Sequence, residues 1–208
     1  MADLPDFDKL WNYQDAAATE TKFRELLPAT ERSGEGSYRA QLLTQIARTQ
    51  GLQDRFDDAH ATLDSVEKML TDDQKLARVR YLLERGRVFN SAGQHAKAMP
   101  LFEASRKLAE AEKFPSYAVD AVHMLAIAAP TTKEQIEWNL RGIERLEREG
   151  KRDGWISEEH AECLLAAGHA DEATPHFKVA YDLLKSDSWL LKNEPAKLER
   201  LRRLAGER

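Results

Sequence analysis

Hydrophobic positions recur at helical spacing along almost the whole chain. Apolar residues three and four apart form one stripe per segment, such as the stripe that runs from Phe56 to Leu70. This spacing is typical of an amphipathic α-helix. No stretch alternates regularly enough between apolar and polar residues to predict a strand. The pattern therefore predicts an all-α protein.

Capping residues and helix breakers divide this pattern into separate helices. Asp15 is a good N-cap for a helix over 16–32, and the glycine-rich segment 33–37 breaks it. Pro195 starts the last amphipathic helix. The helices between are predicted over 38–50, 56–70, 76–92, around 98–108, 118–129, 132–148, 155–167 and 170–185.

One motif returns along the chain at a near-constant interval. It consists of a small residue, an apolar residue and a glycine, and then a small residue followed four positions later by Phe or Leu. Self-similarity of this kind is typical of a repeat array, in which each unit buries its apolar face only against its neighbours. The copies are Ala47–Gln50–Asp54–Phe56–Ala59–Leu63–Val66, Gly86–Phe89–Gly93–His95–Ala98–Phe102–Ser105 and Ala161–Leu164–Gly168–Ala170–Ala173–Phe177–Ala180.

This motif resembles the tetratricopeptide repeat, a helix–turn–helix unit of about 34 residues. The copies from Gly86 and from Ala161 match its pattern of small, aromatic and glycine positions, whereas the copy from Ala47 lacks both glycines. Residues 117–148 keep a helix pair but lose the motif, and the interval from Ala59 to Ala98 exceeds the family unit. The whole chain is similar to bacterial proteins built from such repeats.

The resemblance implies a right-handed α-solenoid of antiparallel helix pairs, about four to five in number. It divides the chain into an N-terminal capping segment and helix (1–37), the array (38–185) and a C-terminal capping helix (186–208). Gly86 would let two paired helices approach closely, as Ala161 would in its own unit. Gly93 and Gly168 would end helices.

Composition limits the classes of function. Of 208 residues, 42% are hydrophobic and 32% are charged, and the net charge is −5, as expected for a folded protein without bulk attraction to nucleic acid or anionic membranes. There is neither an apolar run of membrane-spanning length nor an apolar leader at the N-terminus. A single cysteine, Cys163, suits a reducing compartment. We therefore expect a cytoplasmic protein.

The resemblance also implies a function, because the first helix of each pair lines a concave surface on which this family binds peptides. We therefore expect a protein-interaction scaffold or adaptor, not an enzyme, that binds a peptide or protein segment, including acidic segments. The alternative for the arginines among its residues is pairing with neighbouring acids such as Glu84 and Asp120. The residues expected to bind the peptide are Arg48, Arg80, Arg87, Asn90, His123, Ile127, Trp155, Glu158 and Glu162.

Two further alternatives stay open. The N-terminal segment carries Phe7, Leu10, Trp11 and Tyr13, which would either cap the array or pair with a second copy in a homodimer. His160 and Cys163 lie three residues apart on one predicted helix, but they fall short of the ligand number of a zinc site and lack the other parts of a nucleophilic site. We therefore expect no metal and no cofactor, and we expect His160 to pack against a neighbouring helix.

Overall fold

The computed structural model describes residues 4–207, apart from the side chain of Ser33. No strand occurs in this part of the chain. A short 3₁₀ helix, Phe7–Leu10, precedes the α-helices. Within residues 4–207 these are α1 Ala16–Ser33, α2 Gly36–Gly51, α3 Phe56–Met69, α4 Lys75–Ser91, α5 His95–Ala111, α6 Pro115–Ala128, α7 Thr132–Arg148, α8 Gly154–Ala166, α9 Ala170–Leu184, α10 Ser188–Asn193 and α11 Pro195–Leu204.

Consecutive helices pack in pairs. Helix α2 packs on α3, α4 on α5, and α8 on α9. The predicted fold class, an all-α solenoid of helix pairs, is therefore confirmed. None of the helices described is both long and apolar enough to cross a bilayer.

The chain forms two compact units whose boundary falls within α6. The N-terminal unit ends at Ala121, and the C-terminal unit begins at Val122. The core of the first unit is built around Phe23, Ile46 and Leu63, all fully buried. The core of the second includes Phe177 and Leu201. The described part of the predicted segment 1–37, residues 4–37, thus lies in the N-terminal unit, and α11 lies in the C-terminal unit.

The glycines of the repeat motif have the roles that the sequence predicts. A Cβ on Gly86 would overlap the ring of Phe102, which is fully buried. The close approach of α4 and α5 therefore depends on the absence of a side chain at residue 86. Gly93 and Gly168 follow helices with φ angles of +72° and +86°, the left-handed conformation that ends a helix.

The starts of α1 and α11 follow the sequence. The Asp15 carboxylate accepts a hydrogen bond from the backbone N–H of Ala18 at 2.9 Å, which confirms it as the N-cap of α1. Pro195 occupies the first turn of α11, as predicted. Helix α10 was not predicted. Asp187 caps it by accepting hydrogen bonds from two backbone N–H groups. It is short, and its six residues carry too little periodicity to be read from sequence.

The apolar N-terminal segment packs within the N-terminal unit. Phe7 is buried, and its ring meets those of Tyr38 and Phe23 edge-on, with centroids 5.1 Å and 6.2 Å away. Trp11 also stands edge-on to Phe23, at 5.3 Å. The hydroxyl of Tyr38 donates a hydrogen bond to the carbonyl of Pro5 at 2.6 Å. These contacts are those of a cap that covers one end of the core.

Candidate functional site

The N-terminal unit contains a cavity of about 250 Å³ whose lining is mostly charged and aromatic. Helix α4 contributes four side chains at positions 80, 83, 84 and 87, a spacing that puts them on one helix face. Helix α2 and the start of α6 supply further walls, and the N-terminal segment closes one side. The cavity is lined by Asp8, Trp11, Tyr13, Gln45, Arg48, Arg80, Leu83, Glu84, Arg87, Tyr117 and Asp120.

Arg80 fixes the N-terminal segment to α4. Its guanidinium donates two hydrogen bonds to the carboxylate of Asp8, one of them 3.0 Å from Nη1 to Oδ1. The same guanidinium lies 5.2 Å from the ring centroids of both Phe7 and Tyr117. The side chain is only 8% exposed. The two terminal nitrogens of Arg80 are therefore bonded to Asp8, whereas its buried Nε has no hydrogen-bond partner among the described residues.

Arg87 is held between two carboxylates. It donates a hydrogen bond of 2.7 Å to Glu84 and another to Asp120. Burial by itself would lower the pKa of the Arg87 guanidinium, but the charges of Asp120 and Glu84 outweigh it and raise the pKa. Arg87 is thus a fixed cation at the floor of the cavity.

Arg48 differs from the other two arginines. Among residues 4–207 its guanidinium makes one ion-pair contact, 3.8 Å from Nε to Oε2 of Glu84, and no hydrogen bond. Burial and the nearby charge of Arg87 lower the pKa of Arg48 despite the carboxylates of Glu84 and Asp120. The fold therefore holds a cation here at an electrostatic cost.

Glu84 has a matching unsatisfied atom. Its side chain is 5% exposed, and its Oε1 accepts the hydrogen bond from Arg87. Its Oε2 is buried and has no hydrogen-bond partner among the described residues. Buried polar atoms are nearly always hydrogen-bonded to protein or water. We therefore expect a polar ligand or a water molecule to bind beside this oxygen and the donors of Arg48.

Two stacked aromatic rings form the outer wall of the cavity. The rings of Trp11 and Tyr13 lie 4.5 Å apart and nearly parallel, at 6°. The indole N–H of Trp11 donates a hydrogen bond of 3.1 Å to Gln45, which fixes the orientation of the ring. Tyr13 is 68% exposed, so this wall faces solvent on one side.

The sequence reading missed the N-terminal contribution to this site. Asp8, Trp11 and Tyr13 lie before the first helix, and Tyr117 lies in the region that lost the repeat motif. The apolar character of the N-terminal segment was visible in the sequence, but it predicted a cap or a dimer contact and no part of a binding site. Nothing in the spacing indicated that Asp8 would meet an arginine 72 residues away.

The remaining predicted residues of α4 and α6 lie outside the cavity lining. The side-chain oxygen of Asn90 pairs with Nδ1 of His95 at 2.7 Å. In the C-terminal unit, Nδ1 of His123 lies 3.2 Å from Oε2 of Glu159, and Ile127 is 40% exposed. The predicted peptide-binding set thus divides between the two units, and its three arginines line one cavity.

The C-terminal helix contacts the predicted binding residues of α8. Lys197 lies 3.1 Å from a carboxylate oxygen of Glu158 and 4.7 Å from the ring centroid of Trp155. Arg200 donates two hydrogen bonds to the carboxylate of Glu162, one of 2.9 Å. Trp155 remains 40% exposed. The acidic face of α8 is therefore already paired with a basic helix of its own chain.

His160 lies in the core of the C-terminal unit, as predicted. Its side chain is almost fully buried, and its ring meets that of His176 edge-on at 4.6 Å. Burial and the neighbouring His176 lower the pKa of His160 to about 4. Burial raises the pKa of the Cys163 thiol, which does not favour a thiolate nucleophile. The part of the chain that the structure describes contains no group of three or more side chains placed to hold a metal ion.

Comparisons with known proteins show the fold and no family. No protein-family model matches the chain, and no curated protein matches it by sequence. Among solved structures, the chain is similar to BtubC (BKLC) from P. vanneervenii, with a TM-score of 0.70 and 12% sequence identity. The match covers 97% of this chain and 82% of the other. At this identity the similarity concerns the fold alone.

Proposed function

We propose that this protein is a cytoplasmic interaction scaffold of the tetratricopeptide-repeat type, without enzymatic activity, that docks a segment of a partner protein. The docking site would be the cavity of the N-terminal unit, with Arg48 as its anchor. The observation that supports this proposal is the guanidinium of Arg48, which lines the cavity and makes no hydrogen bond within the described residues. The lone Cys163 suits the reducing conditions of the cytoplasm.

The three arginines would have different roles. Arg80 and Arg87 are held by carboxylates and shape the cavity: their terminal nitrogens are bonded, and their buried Nε atoms have no partner among the described residues. Arg48 keeps its donors available, and a guanidinium fork binds a carboxylate through two parallel hydrogen bonds. A carboxylate-bearing side chain of the partner is therefore the group that we assign to Arg48.

The aromatic wall would supply the apolar part of the contact. Rigid aromatic rings beside a cavity are frequent anchors in protein interfaces because they lose little conformational entropy on binding. Trp11 and Tyr13 are stacked on each other and already oriented. A partner segment would lie across Tyr13 and insert its carboxylate toward Arg48.

Replacement of Arg48 by methionine is expected to weaken partner binding at least about tenfold, because the carboxylate would lose the cavity arginine that makes no hydrogen bond among the described residues. Partners would be captured from the native cytosol on immobilised protein and quantified, and the affinity of the identified segment would then be measured by titration. Arg78→Met is the matched control: Arg78 lies on α4 outside the cavity lining, in an ion pair of 3.9 Å with Asp72.

The salt dependence of binding gives a second readout of the same variant. Binding through a charge pair weakens as salt rises, and the Arg48→Met protein would show a flatter dependence than wild type. Equal capture by wild type and Arg48→Met at both low and moderate salt would contradict the docking site.

Self-assembly into a homodimer is the second candidate function. The structure favours a dimer surface on α9 and α10 over the N-terminal segment. The N-terminal residues Phe7 and Trp11 are used within the unit, whereas Leu191 of α10 is 55% exposed and Leu183 of α9 is 41% exposed. Light scattering on wild type and Leu191→Ser would distinguish the two candidates. A dimer that dissociates in the variant would favour assembly over docking.

A further inference from the structure

The charges around the cavity balance one another. Three arginines face three carboxylates, those of Asp8, Glu84 and Asp120, so the lining has no formal net charge. A ligand with one anionic and one cationic group adds no net charge to this lining, and each of its charged groups can meet an opposite charge there. The lining therefore suits an occupant that carries charges of both signs.

The unsatisfied atoms of the lining are of both kinds. Arg48 offers hydrogen-bond donors. The buried Nε atoms of Arg80 and Arg87 are donors without a partner among the described residues, and the buried Oε2 of Glu84 is an acceptor without one. The side chains of Arg48 and Glu84 approach to 3.8 Å. A ligand that satisfies both must therefore present an acceptor and a donor side by side, at the separation found between neighbouring functional groups of one small molecule.

The size of the cavity limits the size of the ligand. Its volume of about 250 Å³ is below the range of roughly 300–1,000 Å³ typical of sites for drug-sized ligands. One side of it consists of aromatic rings, Trp11 and Tyr13, and Tyr117 lies among the other lining residues. The polar atoms thus have room beside them for one apolar or aromatic side chain.

We propose that this cavity binds a free α-amino acid. The α-carboxylate accepts hydrogen bonds from the guanidinium of Arg48, and the α-ammonium group donates to Oε2 of Glu84. The side chain of the amino acid lies against the aromatic rings. This function goes beyond the docking of a partner protein and does not depend on it, although both ligands would use Arg48 and would compete for the cavity.

Capped amino acids test the assignment of the two charged groups. Binding of free phenylalanine, tyrosine, leucine and the other proteinogenic amino acids would be measured by calorimetry on the full chain, beside their N-acetyl and C-terminal amide forms. We expect at least one free amino acid to bind, and we expect either cap to weaken it about tenfold or more. Binding of the N-acetyl form equal to that of the free amino acid would overturn the proposal, as would a lack of binding by every free amino acid at millimolar concentration.

Variants locate the site. Arg48→Met is expected to abolish calorimetric binding of the amino acid while Arg78→Met retains it. Glu84→Gln also removes a partner of Arg87, so Tyr13→Ala is the second cavity variant: Tyr13 is exposed, and its loss is expected to weaken binding without unfolding the unit. Unchanged binding in both Arg48→Met and Tyr13→Ala would place the amino acid elsewhere and would overturn the proposal.

Discussion

Replacement of Arg87 by methionine is expected to lower the free energy of unfolding by about 3–5 kcal/mol, because removal of one member of a buried ion pair leaves the other charge without compensation. Arg87 is 12% exposed and bonds both Glu84 and Asp120. Glu84 is the more buried of these acids, at 5% exposure. Without Arg87, its carboxylate would keep only the longer contact to Arg48.

Urea titration of the purified variants measures this loss, and Arg106→Met is the control. Arg106 also bonds two carboxylates, Glu103 and Glu110, but both lie on its own helix and are about one-third exposed. Surface ion pairs of this kind contribute about 0–1 kcal/mol to the free energy of unfolding. Adding Glu84→Gln to Arg87→Met should recover part of the lost stability. An Arg87→Met protein as stable as Arg106→Met would contradict the buried network.

The C-terminal unit is expected to lose stability as the pH falls from about 6.5 to 4, by about 3 kcal/mol through His160. The pKa of His160 in the folded protein is lowered to about 4 from the ordinary 6.5 by burial and by His176. The unfolded chain therefore binds a proton at a pH at which the folded chain does not, so acid favours unfolding. The pKa of His176 is lowered by burial as well, and it adds to the same trend.

The difference between wild type and His160→Leu isolates this contribution. We expect the variant to show a smaller fall in the free energy of unfolding between pH 6.5 and 4, since leucine carries no titrating group. His95→Gln, at an exposed histidine, should keep the wild-type slope. Parallel stability curves for wild type and His160→Leu would show that His160 is readily protonated in the folded protein.

Local patterns predicted the helices and their close contacts because those features depend on neighbouring residues. The spacing of Gly86 and Phe102 within one motif predicted a tight helix pair, and the pair is built on that contact. Asp15 and Gly93 predicted helix ends through capping chemistry that acts within four residues. Such local patterns can be recognised in the sequence without knowledge of the tertiary structure.

The candidate site was only partly predictable because its partners come from distant segments. The three arginines were recognised from their helix positions. The bond between Arg80 and Asp8 was not predicted, because it joins α4 to the N-terminal segment, which is distant in sequence. Pairing of the three arginines with neighbouring acids was the alternative that the sequence left open. Each is in an ion pair in the structure: Arg87 with Glu84 and Asp120, Arg48 with Glu84 at 3.8 Å, and Arg80 with Asp8. The contacts of α11 with Glu158 and Glu162 likewise depend on how the last helix folds back, which no local motif encodes.

We infer that Arg48 is present for binding and not for folding, and we would measure the stability of the Arg48→Met protein first. Because burial and the charge of Arg87 disfavour the cation at this position, urea unfolding should give a free energy equal to that of wild type within about 1 kcal/mol, or higher. A loss of about 3 kcal/mol or more, comparable to that of Arg87→Met, would instead identify Arg48 as a structural member of the ion-pair network.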